Sequence, residues 1–162
     1  TNSGTPARSD LCRRARALAG CCAHRQAGAL SLSHLISDVA AESCARFAAE
    51  VALLEKAEEV LVLDLRSLAG FTDFFVIASA RSARRRTTIV DAVERQLRER
   101  FGRKPAHFEG YPATGWLLGD YVDFMVHVFS PESRELYQLE RLWGDAGRWR
   151  PEPLTGADSG GL

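Results

Sequence analysis

The 162-residue sequence carries no excess of either charge: Lys and Arg number 21, and so do Asp and Glu. A chain that binds nucleic acid through bulk charge needs a net basic field, so that class is excluded unless a local basic face supplies it. No uninterrupted apolar run approaches the ~20 residues that a membrane-spanning helix requires. The four cysteines, Cys12, Cys21, Cys22 and Cys44, all fall in the first third and make no CxxC pair. That spacing argues against a zinc ribbon, a thioredoxin-like centre or a disulfide-built secreted domain. HExxH, GxSxG, GxGxxG and the P-loop pattern are missing too. The chain thus offers no zincin site, no nucleophile elbow and no glycine cradle for phosphate.

What is present changes along the chain. From Thr1 to Ser37 the only acid is Asp10, set against Arg8, Arg13, Arg14, Arg16 and Arg25. Residues 1–34 are expected to be a disordered extension or, being Arg-rich and acid-poor, an organelle leader. Residues 150–162, with two prolines and three glycines, are expected to form a disordered tail. The domain is the stretch between, residues 35–149.

Periodicity assigns its elements. Ile36, Val39, Ala40, Cys44, Phe47, Ala48, Val51 and Leu54 recur at helical spacing. Cys44 lies on that apolar stripe and is expected to be a small core residue. Val60 to Leu65 and Phe74 to Ala78 are apolar on both faces, as buried strands are. Ser82 to Phe101 forms a helix with Ile89, Val93, Leu97 and Phe101 in register and Gly102 as its stop. A short strand is expected at Ala106 to Glu109. Strands at Gly115 to Leu118 and Asp123 to Phe129 follow, joined through Gly119 to Val122. Ser130 and Pro131 are a natural cap and first residue for a last helix reaching about Leu142. The order is α-β-β-α-β-β-β-α, an α/β fold with a mixed sheet.

Three groups could carry function. Asp120 and Asp123 flank a turn and could together hold magnesium, although neither a phosphate-binding loop nor a third acid accompanies them. Arg84, Arg85 and Arg86 open the long helix, where cations oppose the helix dipole; they could bind an anion or RNA phosphate, or form a solvated charged turn. The third group is the hairpin. With the turn centred near Tyr121 and Val122, Trp116 stands opposite His127 and Leu118 opposite Met125. Trp116, Leu118, Asp120, Met125, His127 and Phe129 then share one face, and Leu117, Phe124, Val126 and Val128 form the other. The mixed aromatic and polar face suits a protein interface, and equally a helix-covered surface with His127 as a satisfied core residue.

Several runs resemble one family. They are Gly70-Phe71-Thr72-Asp73-Phe74-Phe75-Val76-Ile77, Ser82-Ala83-Arg84, Glu109-Gly110, Trp116-Leu117-Leu118-Gly119-Asp120, Asp123-Phe124-Met125-Val126-His127-Val128-Phe129 and the closing stretch from Glu132 to Trp143. Together, in collinear order over about Glu42 to Trp143, they resemble the Iojap/YbeB family of ribosomal silencing factors (RsfS). The resemblance implies a mixed, about five-stranded sheet flanked by helices, similar to nucleotidyltransferases but non-catalytic, with no cofactor and no metal. It implies binding to the large ribosomal subunit through ribosomal protein fourteen, which blocks joining of the small subunit and represses translation, or assists large-subunit assembly in organelles. On this reading Trp116 and Leu118 are apolar anchors. Glu109, Asp120 and Asp123 meet basic residues, His127 orients or hydrogen-bonds, and Met125 lies on the same surface; Arg84, Arg85 and Arg86 are the candidate contact for an anion or ribosomal RNA. The chain would act in the cytoplasm, or in a mitochondrion or plastid if its first residues are a transit peptide, and be a monomer or homodimer off the ribosome. The alternative is a small nucleotidyltransferase-like enzyme using Asp120 and Asp123 with magnesium. The chain departs from the family pattern at four places: Ala80 and Arg81 precede Ser82, Arg85 stands where His is usual, Gly115 replaces a frequent Asp, and Val122 occupies a usual Gly.

Overall fold

The structure is a computed structural model that describes residues 32–110 and 112–152; of the expected extension at 1–34, residues 1–31 lie outside the described residues, as does most of the expected tail, while residues 32–34 are helical. The first helix, α1 (Leu32–Leu54), begins within three residues of the expected domain start. It is followed by β1 (Glu58–Asp64), β2 (Phe74–Ser79), α2 (Ala83–Phe101), β3 (His107–Glu109), a 3-10 turn at Pro112–Thr114, β4 (Trp116–Asp120) and β5 (Phe124–Phe129). Two short helices, α3 (Pro131–Tyr137) and α4 (Leu139–Leu142), and a last strand, β6 (Gly147–Trp149), complete the fold.

The strands form one sheet in the order β3-β4-β5-β2-β1-β6. All neighbours are antiparallel except β2 and β5, which run parallel from Phe74↔Phe124 to Ser79↔Phe129. The mixed sheet is as expected, with a sixth strand where five were anticipated. β6 is three residues long and pairs Val62↔Trp149 on the edge of β1.

Strand alternation divides the core cleanly. Val60, Val62, Phe74, Val76, Ala78, Leu117, Phe124, Val126 and Val128 face α1 and α2. Leu61, Leu63, Phe75, Ile77, Leu118, Met125 and Phe129 face the other way. α1 meets the sheet through Ala41, Ala45, Ala48, Ala49 and Ala52, all fully buried, whose small side chains permit close approach. Cys44 is buried on the same stripe, and burial raises its thiol pKa. Ser82 Oγ accepts the Arg85 N–H at 3.1 Å to start α2. Gly102, at φ 65°, ends it with backbone bonds to Arg98 and Leu97 carbonyls.

The last helix is broken rather than continuous. Gln138 adopts φ 46° and separates α3 from α4, and neither helix buries a residue of its own. Arg134 holds the pair down. Its Nη1 donates to the Glu59 carbonyl at 2.7 Å and to Ser79 Oγ at 2.8 Å, while Nε and Nη2 each meet Glu140 Oε1 at 2.6 Å. No described helix is long and apolar enough to cross a membrane.

Candidate functional site

The hairpin of β4 and β5 carries most of the expected site residues, and its register differs from expectation. Trp116 pairs with Phe129, Leu118 with His127 and Asp120 with Met125. The turn is the three residues Tyr121–Asp123, one longer on the β5 side than anticipated. Asp120 Oδ1 accepts the Val122 N–H at 2.8 Å, and Tyr121 N–H donates to the Phe124 carbonyl at 3.0 Å. Val122 itself sits at φ 76°, a left-handed conformation that a β-branched residue adopts only under strain. The register moves by two residues, so side-chain parity is kept and the predicted shared face survives.

That face is an aromatic floor more than an open surface. Leu118, Met125 and His127 are 7, 6 and 4% exposed, so a partner cannot meet their side chains directly in this conformation. His127 instead accepts the Trp116 indole N–H on Nδ1 at 3.3 Å. Trp116 is half-buried, with its ring nearly parallel to those of His127 and Phe129. The Tyr137 ring lies 5.5 Å from it, centroid to centroid. Phe71 and Trp143 extend the cluster through Phe75. Tyr137 and Trp143 belong to the closing run that the sequence singled out, but only the fold shows that they cover this face. Burial in apolar surroundings pushes the His127 imidazole down to about 3, so it is neutral at ordinary pH.

Backbone geometry sets Trp116 at its place. Gly110 has φ 99°, and a Cβ there would collide with the Trp116 carbonyl oxygen. Gly115 has φ 75°, and its Cβ would strike the hydroxyls of Ser130 and Ser133. The missing side chains at 110 and 115 therefore let the backbone approach β4 and the start of α3 closely at those two positions.

The acids do not converge. Glu109 is exposed on the edge strand β3, opposite Leu118. Asp120 lies at the β4 end on the aromatic side and caps the turn. Asp123 is ion-paired with Arg103 at 2.6 Å, near Cys44 on the helix side of the sheet. The expected contact of Asp123 with a basic partner is thus met inside the chain. Among the described residues there is no group of three or more His, Cys, Asp or Glu arranged to hold a metal ion.

The basic cluster also divides. Arg86 is buried and donates from Nη1 to the Ala80 and Arg81 carbonyls at 2.9 and 3.1 Å, so it belongs to the fold. Arg85 reaches the Glu55 carbonyl at 3.2 Å, and Arg84 is exposed. An open polar cavity of about 700 Å³ lies nearby, lined by residues including Arg81, Arg141, Glu58 and Glu132.

Comparison with known proteins places this geometry. The sequence model of the family described as "Ribosomal silencing factor during starvation" matches residues 38–159. The ribosomal silencing factor RsfS of Bacillus subtilis is 34% identical over 106 residues, covering 65% of this chain and 84% of that protein. The RsfS of Halalkalibacterium halodurans is 36% identical over 92 residues, covering 57% and 78%. The chloroplastic protein Iojap of Zea mays is 35% identical over 109 residues, covering 65% of this chain and 44% of its own length. A crystal structure of a Chromobacterium violaceum protein superposes with a TM-score of 0.60 at 28% identity, covering 73% of this chain and 95% of that one. With the family model matched over residues 38–159 and relatives of that name 34–36% identical, the chain belongs to the family of ribosomal silencing factors.

Proposed function

We propose that this chain binds the large ribosomal subunit through ribosomal protein fourteen, covers the face that would meet the small subunit, and so represses translation without catalysing a reaction. The observation that carries this reading is the half-buried Trp116, stacked on an aromatic floor, on a strand face shared with the half-buried Asp120 and with the exposed Glu109 on the neighbouring strand. Glu109 and Asp120 leave this side acidic, with no Lys or Arg between positions 109 and 123, a charge that suits a basic ribosomal protein. A large aromatic anchor with a polar rim is what an interface hot spot requires. Leu118, Met125 and His127 support the anchor from beneath. A ribosomal RNA contact falls to the outward side of α2, where Arg84 and Arg95 are exposed and in no ion pair among the described residues. We place the activity in the cytoplasm, with an organelle as the alternative that the Arg-rich residues 1–34 suggest.

Co-sedimentation with purified large subunits tests the reading. The chain is expected to travel with large subunits and to be excluded from joined ribosomes. Trp116→Ala is expected to weaken binding by about 2 kcal/mol, roughly 30-fold in Kd. Absence of the chain from the large-subunit fraction at saturating concentration would contradict the proposal.

A further inference from the structure

The buried imidazole of His127 calls for an explanation. Five neighbouring positions on its face, Phe75, Ile77, Leu118, Met125 and Phe129, are apolar, and an apolar residue would fill the site without desolvating two ring nitrogens. Phe75 meets the ring edge-to-face at 4.7 Å, and Phe129 lies parallel to it at 5.9 Å. The ring makes one hydrogen bond among the described residues, to the Trp116 indole, and its Nε2 finds no partner. Because an indole nitrogen only donates, Nδ1 must be the acceptor, and the proton of the neutral ring must sit on Nε2. The chain thus buries an unsatisfied N–H to keep one acceptor in place.

We propose that His127 is a positioning residue for docking: it fixes the orientation of Trp116 by accepting its indole N–H, and does not itself touch the partner. The proposal deepens the docking reading and rests on it. A half-exposed Trp ordinarily satisfies its N–H with water and can take several rotamers. Here the N–H edge turns inward toward His127, with the ring held nearly parallel to Phe129 and flanked by Tyr137. The indole N–H is therefore satisfied within the chain, and the ring's orientation is fixed before a partner arrives. An anchor that needs no reorganisation binds more tightly than the same ring left free to turn.

Two substitutions separate this role from simple packing. His127→Phe keeps an aromatic ring and removes the acceptor; His127→Asn returns an acceptor near the position of Nδ1. With purified large subunits as the probe, His127→Phe in the full chain is expected to weaken binding about tenfold, and His127→Asn to stay within about threefold of the parent. Nitrogen-resolved NMR of the free chain adds a readout independent of the ribosome. The Trp116 indole N–H, assigned by its loss in Trp116→Phe, is expected to exchange slowly with water in the parent and His127→Asn, and rapidly in His127→Phe. The imidazole is expected to be the Nε2–H tautomer. A parent imidazole protonated on Nδ1, or a folded His127→Phe chain that binds as the parent does with a slow indole N–H, would overturn the assignment. Failure of the parent chain itself to bind large subunits would sink the docking reading, while the tautomer and the exchange rate would still decide whether His127 holds the indole.

Discussion

The two faces of the sheet are built differently. One is closed by long helices, with the alanines of α1 and Ile89, Val93 and Leu97 of α2 packed onto a floor of Val and Phe. The other is floored by aromatic and bulky side chains and covered by α3 and α4, which bury no residue of their own. Dense packing of small residues closes the first face to any partner. On the second, the cover is tied by Arg134, by Arg148 to the Glu140 carbonyl and by half-buried side chains, and Trp116 remains partly accessible at its rim. Close packing is concentrated on one face of the sheet, and the docking surface proposed for ribosomal protein fourteen lies on the other.

The largest effect should come from removing the tie that holds the thin cover. Arg134→Ala loses the bonds to the Glu59 carbonyl, Ser79 and Glu140 and leaves the Glu140 carboxylate without that partner. It is expected to cost about 3 kcal/mol in urea unfolding, with hydrogen-exchange protection lost first over residues 131–142 and kept in α1 and α2. Equal loss of protection on both faces would erase the distinction drawn here.

Acid should act next, again through the aromatic side. The unfolded chain protonates His127 near pH 6.5, whereas the folded chain resists until about pH 3. Between those values the unfolded state binds more protons, so the stabilisation present above pH 6.5 drains away as pH falls. The expected loss from this residue is about 2 kcal/mol between pH 7 and pH 5. It is measured as the difference between the parent and His127→Phe in denaturant melts at the two values.

The smallest effect belongs to the hairpin tip. Val122 is 51% exposed and strained at φ 76°, so Val122→Gly is expected to raise stability by about 1 kcal/mol. A thermal melt that moves downward would show that the valine contributes packing that its exposure hides.

Much of this was legible in the sequence, for physical reasons. Ser82, Gly102, Ser130 and Pro131 are local signals, and each ends or starts a helix where expected. Alternation along Phe124 to Phe129 assigned the two faces correctly because a two-residue register error preserves parity. The error itself came from Val122, since a left-handed valine cannot be anticipated where glycine is the usual choice. The break at Gln138 was hidden by the continuous apolar spacing of Leu136, Leu139 and Leu142. β6 was hidden by its length, three residues in a Gly- and Arg-rich end. Burial of the candidate site was the least legible, because whether α3 and α4 cover the aromatic face depends on Arg134 reaching Glu59, a pairing across 75 residues of chain.

The most direct test is a subunit-joining experiment. Light scattering is followed as small subunits are mixed with large subunits already incubated with the full chain. The account predicts that saturating chain suppresses the rise in scattering, that Trp116→Ala restores it, and that no nucleotide is consumed. Joining that proceeds at its normal rate and extent with the chain bound to the large subunit would contradict it.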